Sequence, residues 1–285
     1  MPSAIQDSLI ALLSEAGEAG DDEMDVGAVA LALGALDRPG IGLDHYVEHL
    51  DRLAEECASA VAALGPEPSP SMVAGALAGI ISGRFSYRGD VDTYDDMQNA
   101  DLTRVIERRL GLPVALGILY LHAARRSGLD LVGLNFPGHF VLRLTSGGDA
   151  AIIDPFNAGQ LMDAAALRRL LQALSGEEEM ALTPDTYAPL SGRDVVLRLQ
   201  NNILGRAAQA GEFERAREIL ERMILIAPRR AELRYELGRI ALHAGELAVA
   251  LDDFTTCVDV AEAQAEIEIA ESAKVAIARL RDRLQ

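Results

Sequence analysis

ERRLGLPVALGILYLHAARRSGLDLVGLNFPGHFVLRLTSGGDAAIID, residues Glu107 to Asp154, is the stretch whose reading decides the fold. Pro113 suits the first turn of a helix, and VALGILYLHAARR behind it is apolar all round for two turns before Ser127-Gly128 stops it. Such a helix belongs in a core, packed against a sheet. LVGLNF and HFVLRL read as strands separated by Pro137-Gly138. Ser146-Gly147-Gly148-Asp149 reads as a hairpin turn, AAIID as the return strand, and DPFNAG as the turn that closes the unit.

The hairpin has a register that can be worked out. If Gly147-Gly148 forms a two-residue turn, Ser146 pairs with Asp149, Val141 faces Asp154 and His139 faces Phe156. Side chains two apart share a face, so His139 and Asp154 become diagonal neighbours within carboxylate-imidazole reach. A slip of one residue in the turn sends one partner to the other face. In the paired register Asp154 can fix the tautomer of His139 and stabilise its charged form.

A buried helix beside a histidine-aspartate pair is the layout of a Cys-His-Asp acyl-transfer site. The nucleophile of such a site stands at the helix N-terminus, where the dipole lowers a thiol pKa. Here that place is Pro113-Val114-Ala115-Leu116-Gly117, which holds no Cys, Ser, Thr or Lys. Two readings of His139 and Asp154 stand side by side: a working pair, or a structural hydrogen bond that orders the Pro137-Gly138 turn. His122 reads as a helix-surface or boundary residue, and Asn157 as a turn former. Arg108 and Arg109 can pair with an acidic loop upstream or remain solvated.

Towards the N-terminus, up to about residue 90, the chain is helix-dominated, with a break at Pro39-Gly40. Tyr46, Leu50, Leu53, Cys57, Val61 and Leu64 recur at helical spacing and make one apolar face. Cys57 on that face reads as a small buried hydrophobe, since nothing polar beside it would lower its pKa. After the GPEPSPS loop and the helix MVAGALAGIISG comes the acidic RGDVDTYDDMQNAD. Asp90, Asp92, Asp95 and Asp96 invite a calcium reading, but Tyr94 and Asp95 occupy places where an EF-hand needs a small polar ligand and a glycine. The loop therefore reads as solvated. A short helix follows from Asp101 through Arg109, capped by Asp101 and ended by Gly111.

Beyond about Gly192 the chain is continuously helical with an internal period. Gly211 aligns with Gly245, Glu212 with Glu246, Ala216 with Ala250 and Leu220 with Phe254, each at an offset of 34 residues. That is the period and small-residue pattern of tetratricopeptide (TPR) helix pairs. Cys257 aligns with Met223, again a packing position, and Ala263 to Leu284 reads as a capping helix.

The 285 residues suffice for one large or two ordinary domains, and 49% hydrophobic with 25% charged residues marks a globular chain. A net charge of -18 repels phosphate backbones and anionic headgroups, which argues against nucleic acid and membrane surfaces as partners. Lys274 is the only lysine, so no Schiff-base amine lies near the central stretch. Two cysteines 200 residues apart suit a reducing compartment. No export signal stands at the N-terminus, and no apolar run approaches the ~20 residues of a membrane helix, so a cytoplasmic location is expected.

Taken together, ERRLGLPVALGILYLHAARRSGL, FPGHFVLR, IDPFNAG and the upstream LDHYVEHLDRLAEE resemble the bacterial SirB-type proteins, which carry a transglutaminase-like domain followed by TPR repeats. The resemblance covers roughly residues 25 to 285. It implies a papain-like, transglutaminase-type core in which His139 and Asp154 stand at the catalytic histidine and aspartate places. It puts the catalytic cysteine place at or next to Ala115, and neither Cys57 nor Cys257 can substitute by position. The expected fold class is α+β: a helical N-terminal part and a papain/transglutaminase-like core with a small antiparallel sheet over residues 1–190, then an all-α TPR-like segment over 191–285. The expected function is regulatory or protein-binding, with the partner met by the TPR-like segment and with no cofactor or metal. The alternative is an amide hydrolase or acyltransferase using His139 and Asp154 with water or a group donated from elsewhere.

Overall fold

The computed structural model describes residues 4–21, 23–175 and 187–284. In chain order they form α1 (Ala4–Glu18), α2 (Val26–Leu36), α3 (Asp44–Ala62), α4 (Pro70–Ala78), β1 (Arg88–Gly89), α5 (Leu102–Arg108), β2 (Leu110–Gly111) and α6 (Pro113–Arg126). There follow β3 (Asp130–Leu134), β4 (Val141–Ser146), β5 (Asp149–Asp154), β6 (Gln160–Met162), α7 (Ala164–Ser175) and β7 (Pro189–Leu190). The chain then continues as α8 (Gly192–Ala210), α9 (Phe213–Ile226), α10 (Ala231–His243), α11 (Leu247–Ala263) and α12 (Ile267–Leu284). The class is α+β with a small antiparallel sheet and a helical C-terminal part.

Gly20–Leu199 is one compact unit. Its sheet has the order β6-β5-β4-β3-β7, with every neighbouring pair antiparallel. Phe140 and Val141 point to opposite faces, as successive extended residues do. Val141 joins Leu134, Phe136, Leu167 and Leu171 in a cluster with α7. The Phe140 ring goes the other way and lies between two glycines: a Cβ on Gly117 of α6 would stand 2.3 Å from it, and one on Gly133 of β3 2.7 Å. The glycine inside α6 thus serves close packing, at the ordinary cost of glycine in a helix. Val114, Ala115, Leu116, Ile118, Leu119 and Tyr120 of the same helix are all buried, as the apolar run predicts.

Two local details depart from expectation. His139 and Phe140 precede β4 instead of opening it, so His139 stands on the turn. The short helix α5 is capped by Asp101, whose Oδ1 accepts from the backbone N–H groups of Thr103 and Arg104. It ends at Arg109, which takes the left-handed conformation with φ 61° in place of the expected glycine stop.

Met1–Ala19 and Gln200–Gln285 make up the second compact unit. Its limits differ from the division at residue 190 in two places: α1 falls in this unit, and residues 191–199 fall in the other. The amphipathic α1 buries Leu9, Leu13 and Ala16 and packs on α9, where a Cβ on Gly17 would lie 2.0 Å from the Leu225 carbonyl oxygen. An apolar face says that a helix is covered without saying by what. The 34-residue repeat is visible in the packing: Ala216 and Ala250, Leu220 and Phe254, and Met223 and Cys257 are all buried at matching places on α9 and α11. Gly211 and Gly245 both take positive φ, 73° and 80°, in the turns before those helices.

Candidate functional site

The hairpin forms in the register derived from its turn. Ser146 pairs with Asp149 and Leu142 with Ile153, and Gly147 and Gly148 have φ of 61° and 88°. Two consecutive positive-φ residues make the tight turn whose twist suits a two-residue hairpin, and only glycine adopts both without strain. The consequence at the open end is the expected one: His139 Nε2 stands 3.0 Å from Asp154 Oδ1.

Asp154 is almost fully buried, with 1% of its side chain exposed. Its Oδ1 also accepts from the backbone N–H groups of Phe156 and Asn157, at 3.0 and 3.3 Å, and its Oδ2 accepts from the Asn157 side-chain amide at 2.7 Å. Burial pushes the carboxyl towards the protonated form, but the His139 hydrogen bond and charge and the Asn157 bonds outweigh it and hold the pKa below the usual carboxylate range. An ionised carboxylate only accepts, so His139 Nε2 carries the proton. With Nε2 carrying the proton, Nδ1 is the ring's acceptor whenever the imidazole is neutral. Asn157 is a turn former, as read from the sequence, and also a ligand of the aspartate.

An aromatic row flanks the pair. The Phe156 ring meets His139 edge-on at 6.1 Å and Tyr94 at 5.7 Å. The third expected partner is a methyl group: Ala115, in the first turn of α6, is 0% exposed. No side chain caps the start of α6, and Leu112, Pro113, Val114 and Leu116 around Ala115 are buried as well. Neither cysteine offers a replacement. Burial is the main cause that pushes the Cys57 thiol up to about 12 and the Cys257 thiol to about 11, and both side chains are fully buried as packing groups.

His122 corrects the reading of a surface or boundary residue. It is 6% exposed, with Nδ1 3.5 Å from Oδ1 of Asp25, the N-cap of α2. His122, together with the Ala28 and Gly27 N–H groups, holds Asp25 down to about 2 against burial. The acidic loop is solvated at Asp92 and Asp95, as expected, but not at its first aspartate. Asp90 is 3% exposed, accepts from the Thr93 N–H and hydroxyl, and pairs with Arg108 at 2.8 Å. Burial would raise it, but these bonds bring it down to about 2. Arg109 turns elsewhere: its Nη1 lies 2.7 Å from His49 Nε2, and its guanidinium lies over the Tyr87 ring at 4.7 Å. Among the described residues no group of three or more His, Cys, Asp or Glu could hold a metal ion, and no helix is long and apolar enough to cross a membrane.

Sequence reasoning missed Tyr94 and Arg198, because aromatic and arginine positions far along the chain carry no motif. It also missed Asp25, whose signal, an aspartate just before the apolar run VGAVALALGAL, was available. In the second compact unit a cavity of about 550 Å³ is lined by Glu232, Glu266, Ile267, Glu268, Ile269 and Ser272, at the first turns of α10 and α12.

The chain matches the transglutaminase-like superfamily over residues 44–201 and a tetratricopeptide repeat over 203–281. It is similar to the UPF0162 protein of Xylella fastidiosa (strain 9a5c), 34% identical over 175 residues that make up 60% of this chain and 62% of that protein. The UPF0162 protein of Vibrio cholerae is 32% identical over 156 residues, 54% of this chain and 56% of that protein. Mouse F-box only protein 21 is 26% identical over 180 residues, 61% of this chain and 28% of that protein. The chain thus covers less than two thirds of the length of these relatives.

Proposed function

The chain belongs to the transglutaminase-like superfamily and carries tetratricopeptide repeats behind the matched domain, and from that premise we propose that it is a non-catalytic regulatory or protein-interaction protein of the SirB type. The unit Gly20–Leu199 supplies a transglutaminase-like frame without its thiol, and the repeats behind it supply the surface for a protein partner. The observation that carries this reading is the buried methyl of Ala115 at the helix start, within a Pro113 to Gly117 turn that holds no nucleophile. The open cavity among Glu232, Ile267 and Glu268 supports a binding role for the repeats. The net charge of -18 supports a protein partner over nucleic acid or a membrane surface, and two unpaired cysteines suit the cytoplasm.

A second reading rests on one specific observation, the 3.0 Å contact between His139 Nε2 and Asp154 Oδ1, which gives Nδ1 the acceptor role in a neutral ring. Under it the chain is an amide hydrolase or acyltransferase in which His139 draws a proton from water and Asp154 stabilises the imidazolium. A histidine base alone supplies only about 10²- to 10⁴-fold.

The two separate on the full chain. The expected results are no release of amine from a panel of peptide amides above the rate in buffer, and recovery of the same cross-linked protein partners by wild type and His139→Ala. Glu232→Arg with Glu268→Arg is expected to lose those partners. Amide turnover by wild type that His139→Ala abolishes would overturn the first reading in favour of the second.

A further inference from the structure

Arg198 lies in the part of α8 that belongs to the same compact unit as the hairpin. Its Nη2 donates to the carbonyl oxygen of Phe136 at 2.8 Å and to that of His139. Those two residues bracket Pro137-Gly138, so one guanidinium holds both ends of the turn. Its Cζ also stands 5.8 Å from the centroid of the Phe140 ring, the ring seated between Gly117 and Gly133. The next residue along is therefore held from two sides, by α6 below and by the cation.

We infer that Arg198 is the positioning residue of the His139–Asp154 pair. The reason is mechanical. His139 precedes β4, so no ladder hydrogen bond sets its backbone, and the turn before it contains a glycine at φ 67°. An imidazole can face a carboxylate at 3.0 Å only if its Cα–Cβ bond is aimed correctly, and that direction follows from the peptide planes on either side. Anchoring the Phe136 and His139 carbonyls fixes those planes. A guanidinium suits the task because its planar fork presents several donors at once and stacks on an aromatic face. Burial lowers the Arg198 pKa without neutralising the group, so the donors are always present. Asp154 is anchored independently by Asn157 and two backbone N–H groups, so the histidine is the member of the pair whose placement depends on the turn. Among the described residues the Arg198 guanidinium donates to the carbonyls that flank the turn and not to the Asp154 carboxylate, so its action on the pair runs through the turn.

This inference rests on reading His139 and Asp154 as the site, but its test does not depend on what the site does. The full chain is labelled with ¹⁵N at histidine, and the Nε2–H resonance of His139 is followed, assigned by its loss in His139→Ala. In wild type it is expected as an exchange-protected signal of the Nε2–H tautomer. Loss of the turn anchor in Arg198→Met is expected to speed exchange of that proton about tenfold, the effect of one net hydrogen bond, and to mix the two tautomers. Val196→Ala is the control: it removes fully buried packing from the same helix while leaving the Arg198 guanidinium in place, and is expected to leave the signal as in wild type. An unchanged His139 signal in Arg198→Met, or an equal change in Val196→Ala, overturns the inference. Should Arg198→Met fail to fold, Arg198→Lys carries the test, with a smaller change of the same sense expected and no change overturning it. Failure of the functional reading would appear in partner recovery and turnover, not in this signal.

Discussion

Asp154 in one compact unit and Asp253 in the other are both buried, and they are treated oppositely. Asp154, at the end of the hairpin, receives hydrogen bonds on both oxygens and has its pKa held below the usual range. Asp253, on α11, is 6% exposed, has Arg234 at 3.8 Å, and keeps an Oδ2 without a hydrogen-bond partner among the described residues. Burial, only partly offset by Arg234, pushes it up to about 6. Burial by itself therefore does not determine what a carboxylate contributes; the number and geometry of donors does. Asp154 has the surroundings of a group that organises its neighbours, and Asp253 those of a group carried along by helix packing.

The largest effect expected from this contrast is at Asp154. Asp154→Ala removes the acceptor of four donors at a buried position and should cost about 3 kcal/mol, measured by denaturant unfolding at pH 7. A loss below about 1 kcal/mol would mean that the bonds around Asp154 do not hold the turn, and the comparison would fail. Its sign with pH follows from the lowered pKa: the stabilisation is present above the ordinary carboxylate value and is lost as pH falls below it.

Asp253 should behave in reverse. Its folded pKa lies above the ordinary 3.8, so the folded form holds an extra proton between about pH 4 and 6 and stability falls as pH rises through that window. Asp253→Asn is expected to stabilise the protein at pH 7 by on the order of 1 kcal/mol and to flatten the pH dependence of unfolding between those values. Destabilisation at pH 7 would show instead that the ionised carboxylate is needed. The smallest effect is at Arg234. Arg234→Gln should change stability by only a few tenths of a kcal/mol, because the pair is long and the arginine partly exposed. It should still move the Asp253 titration, followed by carboxyl ¹³C shifts, further upward, and a downward move would contradict the role given to Arg234.

Much of this was legible in the chain. Gly147-Gly148 was enough to set the hairpin register, because a two-residue turn has one pairing and a slip would exchange the two faces. The repeat was equally legible, since a helix pair needs small residues where it closes and the 34-residue offset exposes them at Ala216 and Ala250. Other features were not. The same one-letter histidine is a partner of Asp154 at 139 and a buried neighbour of the α2 cap at 122, and local pattern cannot separate the two. The covering of α1 by α9 was hidden for a similar reason, whereas pairing of Arg108 with the acidic loop stood among the readings of the sequence and only the choice of Asp90 came from the structure.

The sequence by itself determined the class of fold, the hairpin that brings His139 to Asp154, the absence of a nucleophile from Pro113 to Gly117, and the repeat. All four depend on short-range spacing, in which backbone geometry leaves few alternatives. Only the tertiary structure decided the electrostatic character of the buried groups and the anchoring of the His139 turn by Arg198, 59 residues further along the chain. A pKa depends on desolvation and on donors arriving from any part of the chain, and a guanidinium can reach a carbonyl only after the helix that bears it has packed.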